Sequence, residues 1–252
     1  RIYELTGKGG LLMGDGGFGA KIKFTISENI PFIGGVPVTE TITTTWIIMA
    51  VLIIGSIILT RNLNRIPKGM QNVVELLVGL VYGLTEDTMG KDKVGFAPYI
   101  GTLMLYLAFA NLVGLLGVRP PTADLNMTLA LALITFFLIH FNGIRRKGLF
   151  SYLKGFTEPF ILLMPINLIG EIATPISLSF RLFGNLVGGS IIMALVYSAL
   201  ASLTTALLGI DIPIFQVGIP AVLHVYFDMF SGLLQTFIFA MLTMVFVSGA
   251  MD

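Results

Sequence analysis

The stretch from Pro159 to Leu208 constrains this chain more than any other: 50 residues in which Glu171 and Arg181 are the only charged side chains. An apolar run of that length asks for a bilayer as its solvent. Its proline-free part, Ile176 to Leu208, would extend about 50 Å as a helix at 1.5 Å per residue, against a hydrocarbon core of about 30 Å. Such a helix must tilt steeply or break, and Pro165 and Pro175 mark places where the run is interrupted. After Asp211 to Pro213 another long run reaches Val247, so the C-terminal part reads as a steeply tilted helical hairpin. Ordinary spans incline by about 0–40°, and a hairpin beyond that range suggests shaping around a partner.

Composition agrees. Hydrophobic residues make up 55% and charged ones 12%, and the mean hydropathy is +0.91. The net charge of +1 offers no overall electrostatic footprint for nucleic acid. With no cysteine in the chain, disulfides, thiolate metal sites and cysteine nucleophiles are excluded.

The expected architecture is an all-α polytopic membrane protein with about five crossings, at about 44–60, 98–118, 125–143, 159–208 and 213–248. Residues 70–88 place Val73, Val74, Leu77, Leu80, Val81 and Leu84 at helical spacing, which reads as an amphipathic helix lying on the membrane surface. Residues 1–43 read as an extra-membrane segment with strand-like stretches such as Lys21 to Ile26, and 44–252 as a single integral membrane domain. Arg61, Arg65 and Lys68 follow the first span, and Arg145, Arg146 and Lys147 close the third. Both clusters put the N-terminus outside and the C-terminus in the cytoplasm under the positive-inside bias.

Arg181 is the most informative residue. A permanently charged guanidinium in mid-membrane costs about 2.5–3.5 kcal/mol on translocon scales. With 100° steps, Gly170, Thr174, Ser177, Gly184, Asn185 and Gly188 fall on or near its face. One reading is an ion-handling stripe; the other is a close-packed helix interface with Arg181 paired internally. In the second arm His224, Asp228, Ser231 and Gln235 recur at helical spacing along one face, a line that can pass protons or coordinate a cation, or else tie helices together. Glu171 and Asn167 suggest a further polar path. His140, beside Asn142 and the basic cluster, reads as an interfacial, solvated histidine. No HExxH, Walker-type loop or GxSxG elbow occurs, and GNLVGGS from Gly184 follows no strand, so neither an enzyme site nor a cofactor or metal site is expected.

The string PISLSFRLFGNLVGG from Pro175 to Gly189 closely resembles the signature of subunit a of F-type ATP synthases. NLVGLLG with PTADLNMTLALAL, from Asn111 to Leu133, and LLQTFIFAMLTMVF, from Leu233 to Phe246, extend the resemblance from about residue 44 to the end, nearest to the bacterial form. The resemblance implies a stator subunit without an ATP site of its own. Its partners would be a ring of c subunits, peripheral-stalk b subunits and the rest of the synthase, in a bacterial plasma membrane. Arg181 would separate two ion half-channels, coupling proton or sodium flow to ring rotation. Asn185 and Gln235 match the family residues that neighbour the arginine, and Asp228 falls where relatives place a histidine or acid. Ser190 stands where some relatives carry a glutamate or histidine, so Asp228 with His224 would take over that role, joined by Ser231. Asp124, Asn126 and Thr128 match the outer-mouth segment. Asn167 stands where some relatives have a glutamate, with Glu171 one turn later. A secondary transporter or a cation channel is the alternative, although neither inverted repeats nor a filter motif is evident.

Overall fold

The computed structural model describes residues 22–26, 36–157, 160–208, 216 and 218–252. Most of segment 1–43 and the turn from Asp211 to Pro213 lie outside the described residues. Within that segment, Ile22–Ile26 (β1) and Val36–Thr39 (β2) pair antiparallel.

The α-helices described after the ribbon are α1 (Glu40–Thr60), α2 (Met70–Met89), α3 (Ala97–Leu112), α4 (Leu125–Lys147), α5 (Leu149–Gly155), α6 (Met164–Leu208), α7 (Ile219–His224) and α8 (Gly232–Met251). A π-helical segment, Val225–Ser231, joins α7 to α8. Five segments are long and apolar enough to cross a membrane: Glu40–Thr60, Lys91–Leu116, Leu125–Lys147, Ile161–Ala206 and Pro220–Met251. The chain is therefore an all-α polytopic membrane protein. Helix α2 is not among the five. The first span begins at Glu40, four residues before the expected start. The second loosens into 3₁₀ turns after Leu112, where Gly114 and Gly117 punctuate the apolar run.

Helix α6 does not break. It runs 45 residues with Pro175 inside it, about 68 Å at 1.5 Å per residue, more than twice a hydrocarbon core of about 30 Å. Pro165 falls in its first turn, where the missing donor has no intrahelical partner to lose. Packing against α4 and α8 holds the helix through Pro175, as neighbouring helices commonly do in membranes. Leu178 and Leu182 of α6 share one buried cluster with Leu107 and Ala110 of α3, Ala132 of α4 and Phe239 of α8.

Polar ties fix which ends coincide. Thr41 donates to Asp124 Oδ2 (2.9 Å), so α1 and α4 start at one end, and each runs toward its basic cluster at the other. At that basic end Arg146 meets Asp92 (3.1 Å), while buried Lys93 donates to Ser248 Oγ (2.9 Å) and to Asp252. The carboxylate of Asp252 is held below its ordinary value, chiefly by the hydrogen bond from Lys93.

Candidate functional site

The two arms of the hairpin lie antiparallel. Asn185 of α6 meets Ser231, and further along Tyr197 meets His224. Arg181 lies on the basic-end side of these contacts. It is exposed and makes no hydrogen bond or ion pair with any described residue. Beneath it is a cavity of about 190 Å³ lined by Gly170, Thr174, Ser177, Leu178, Arg181 and Phe246. The small-residue stripe thus makes room beside the guanidinium, and no partner among the described residues pairs with it.

Asn185 and Ser231 bond reciprocally: Ser231 Oγ donates to Asn185 Oδ1 (2.9 Å), and Asn185 Nδ2 donates to the Ser231 carbonyl (3.3 Å). One turn later Gln235 is 6% exposed, and its Nε2 has no hydrogen-bond partner among the described residues. An amide left this way inside an apolar arm is costly, so the position carries a constraint beyond packing. Nearby, fully buried Asn111 donates to the Gly232 carbonyl (2.8 Å) and Thr236 Oγ1 (3.1 Å) and accepts from Thr122 (2.7 Å). Gly232 allows that approach, since a Cβ there would stand 3.1 Å from Asn111 Cβ.

Farther from the basic end, three titratable groups form a line. His224 Nδ1 contacts Asp228 Oδ2 at 2.5 Å, and Nε2 contacts the Tyr197 hydroxyl at 3.1 Å. Tyr197 was not legible as a partner, because the pairing of the two arms is set by their packing. The expectation of one shared face for His224, Asp228, Ser231 and Gln235 assumed α-helical steps throughout. The segment that carries Asp228 and Ser231 is π-helical instead, yet His224 and Ser231 both meet α6: His224 bonds Tyr197 as well as Asp228, Ser231 bonds Asn185, and Gln235 is buried. Ser190 does not join them; it is exposed, and its hydroxyl donates to the Val187 carbonyl (2.8 Å).

On the opposite side, a cavity of about 780 Å³ opens at the basic end, lined by residues that include Lys147, Tyr152, Asn167, Glu171 and Thr174. Asn167 donates to the Phe156 carbonyl (2.9 Å). Glu171 Oε2 lies 4.0 Å from His140 Nε2, and the His140 side chain is only 24% exposed. The interfacial, solvated reading of His140 is therefore corrected: α4 turns its ring inward against Phe136 and Tyr152. Burial and the charge of Glu171 push the Tyr152 hydroxyl above its ordinary range. Asp124 caps α4 by accepting from the Asn126 amide (3.0 Å) and, through its other oxygen, ties α4 to Thr41 of α1. Thr128 bonds Ser179 (3.1 Å), which ties α4 to α6.

A guanidinium without a partner among the described residues, set between a cavity that holds Glu171 and a line of titratable groups, defines a multi-pass membrane protein of the ion-transporting class. Residues 42–248 match the family described as ATP synthase A chain. The chain is 38% identical over 232 residues to the sodium-ion-specific ATP synthase subunit a of Propionigenium modestum, covering 86% of this chain and 75% of that protein. It is 39% identical over 219 residues to an ATP synthase subunit a of Bradyrhizobium sp. strain BTAi1, covering 86% and 91%. Identity to the subunit a of Moorella thermoacetica is 35% over 218 residues, covering 86% and 93%. The chain belongs to the ATP synthase subunit a family, the membrane-embedded stator component of that complex.

Proposed function

We propose that Arg181 faces a rotating ring of c subunits and separates two offset aqueous half-channels, one open to each side of the membrane. The observation that carries this reading is the guanidinium itself, exposed and unpaired among the described residues although an apolar helix holds it. A charge so placed calls for a countercharge from another chain.

The ring carboxylate would be neutral and ion-loaded in lipid, because burial disfavours its charged form. Beside Arg181 it would ionise. Two opposite charges about 4 Å apart attract by roughly 4 kcal/mol at an effective dielectric near 20, about a thousandfold in the ionisation equilibrium. Release would occur into one half-channel and reloading from the other. The ion-motive force then biases rotation, since one elementary charge crossing 100 mV yields about 2.3 kcal/mol.

The basic-end cavity with Glu171 and Asn167 would be one half-channel. The line from Tyr197 through His224 to Asp228 would belong to the other, whose mouth would lie near Asp124 and Asn126. Asn185, held by Ser231, and Gln235 would hydrate and orient the passage between them, with Ser190 at its margin. Three titratable groups in hydrogen-bond contact suit protons, and the sodium specificity of one relative makes sodium the competing species for the test. Positive-inside bias places the basic end in the cytoplasm, residues 1–43 outside the membrane and 44–252 as one membrane domain, beside c-ring and peripheral-stalk b subunits.

ATP-driven uptake by inside-out vesicles carrying the complete complex tests this, with acidification and sodium accumulation followed in parallel. The expected outcome is that an Arg181→Ala complex, assembled to the wild-type level, pumps neither ion. Normal pumping by that variant would make Arg181 structural and overturn the mechanism.

A further inference from the structure

We propose that His140 and Glu171 form a proton-holding pair at the basic-end cavity, which passes protons between that cavity and the space beside Arg181. This assignment rests on the half-channel reading above and adds to it a residue on a different helix, α4.

The geometry fixes the roles of the two ring nitrogens. His140 Nδ1 lies 2.9 Å from the Phe136 carbonyl, one turn back on α4. A carbonyl only accepts, so Nδ1 carries a hydrogen and Nε2 of the neutral ring presents its lone pair. That lone pair faces Glu171 Oε2 at 4.0 Å, beyond direct hydrogen bonding in this conformation but within reach of a small side-chain shift. Two acceptors face each other, with a place for one proton between them. A proton arriving from the cavity binds Nε2 and gives an imidazolium. Its transfer to Oε2 restores the neutral ring and leaves a carboxylic acid, which then releases the proton toward Thr174.

The ring is clamped for this task. Phe136 packs on it with centroids 4.0 Å apart, and Tyr152 meets it edge-on at 5.9 Å. Tyr152 comes so close because α4 has glycine at position 143, where a Cβ would fall 2.5 Å from Tyr152 Cε2. The charged and titratable groups around the pair are few. Helix α5 contributes Tyr152, whose raised hydroxyl stays neutral near pH 7, and α4 itself contributes the cation Lys147. Helix α8 lines the cavity with Val245, Phe246, Gly249 and Ala250, none of them titratable, and its terminal Asp252 is engaged by Lys93. Glu171 is the carboxylate that α6 places in this lining. Glu171 lines the large cavity, and that cavity shares Gly170, Thr174 and Phe246 with the smaller one beside Arg181, so the two adjoin one residue away from the pair's carboxylate.

The test uses the complete complex in vesicles, with the initial rate of ATP-driven acidification measured from pH 5.5 to 8.5 for wild type, His140→Gln, Glu171→Gln, the double variant and Arg181→Ala at equal assembly. Glutamine keeps a donor for the Phe136 carbonyl but cannot hold the proton. We expect each single variant to pump about a hundredfold more slowly near pH 8, the low side of what a positioned proton-transfer group contributes. The double variant should be no slower than the slower single one, because both changes cut the same link. Wild-type rates in His140→Gln at every pH, with Arg181→Ala inactive, would overturn the pair while leaving the half-channel reading in place. Additive losses in the double variant would also overturn it. Normal pumping by Arg181→Ala would overturn both.

Discussion

At the level of single residues, the sequence disclosed what the bilayer makes costly and concealed what only packing decides. Arg181 stood out because a guanidinium in an apolar run has few reasons to be there. Its lack of a partner among the described residues was not readable, since that depends on which faces α4 and α8 turn toward it. Tyr197 and His140 were missed or misread for the same reason: each acquires its role from a residue on another element. Two predictions belong here. Asp228→Asn keeps an acceptor for His224 but no longer carries a proton, so proton uptake by the assembled complex should fall by at least about tenfold, while Tyr197→Phe should cost less because it removes one hydroxyl at the end of the line. Rates of acidification in vesicles check both, and equal losses in the two would refute that ordering. The Lys93–Asp252 contact gives a third. The Asp252 carboxylate is depressed below its ordinary 3.8, so the stabilisation it contributes is fully present above that value and is lost as pH falls through the depressed one. Amide exchange at the end of α8 should accelerate only at pH below 3.8, and Asp252→Asn should remove that acid step.

The element scale was the most legible in the sequence, because span length and hydropathy are set by the thickness of the hydrocarbon and not by partners. The five crossings follow from that rule, and α2 was separated from them by its interspersed Asn72, Glu75 and Glu86. The exact joints were less legible. Pro175 was read as an interruption, yet neighbouring helices carry α6 through it. The π segment left no mark in the sequence, since Val225 to Ser231 holds neither proline nor glycine to signal a change of helical step. Where α3 meets α8, Gly232 is the limiting contact. Gly232→Val should press on Asn111 and disturb its bonds to Thr122 and Thr236, costing about 1–3 kcal/mol as overpacking does. A fall in the thermal midpoint of the detergent-purified complex measures this, and an unchanged midpoint would mean that Asn111 has room to move.

For the whole molecule, the shared end of the two basic clusters makes orientation testable. The chain has no cysteine, so any introduced thiol is a unique reporter. Lys68→Cys should react with an impermeant maleimide only from the cytoplasmic side, and Val118→Cys only from the other; the reverse pattern would invert the proposed topology. The π segment, finally, has a consequence for ancestry. A π turn accommodates one residue more than an α turn, so the hairpin carries a spare residue between its two charge-handling halves. Loss of one residue within Val225 to Ser231 would convert the segment to ordinary α-helix with nearly the same number of turns, so the helix on either side keeps the face it presents. Lineages that gain or lose that single codon can therefore add or remove one side chain between the two polar halves of the hairpin while every helix and every membrane crossing stays as it was.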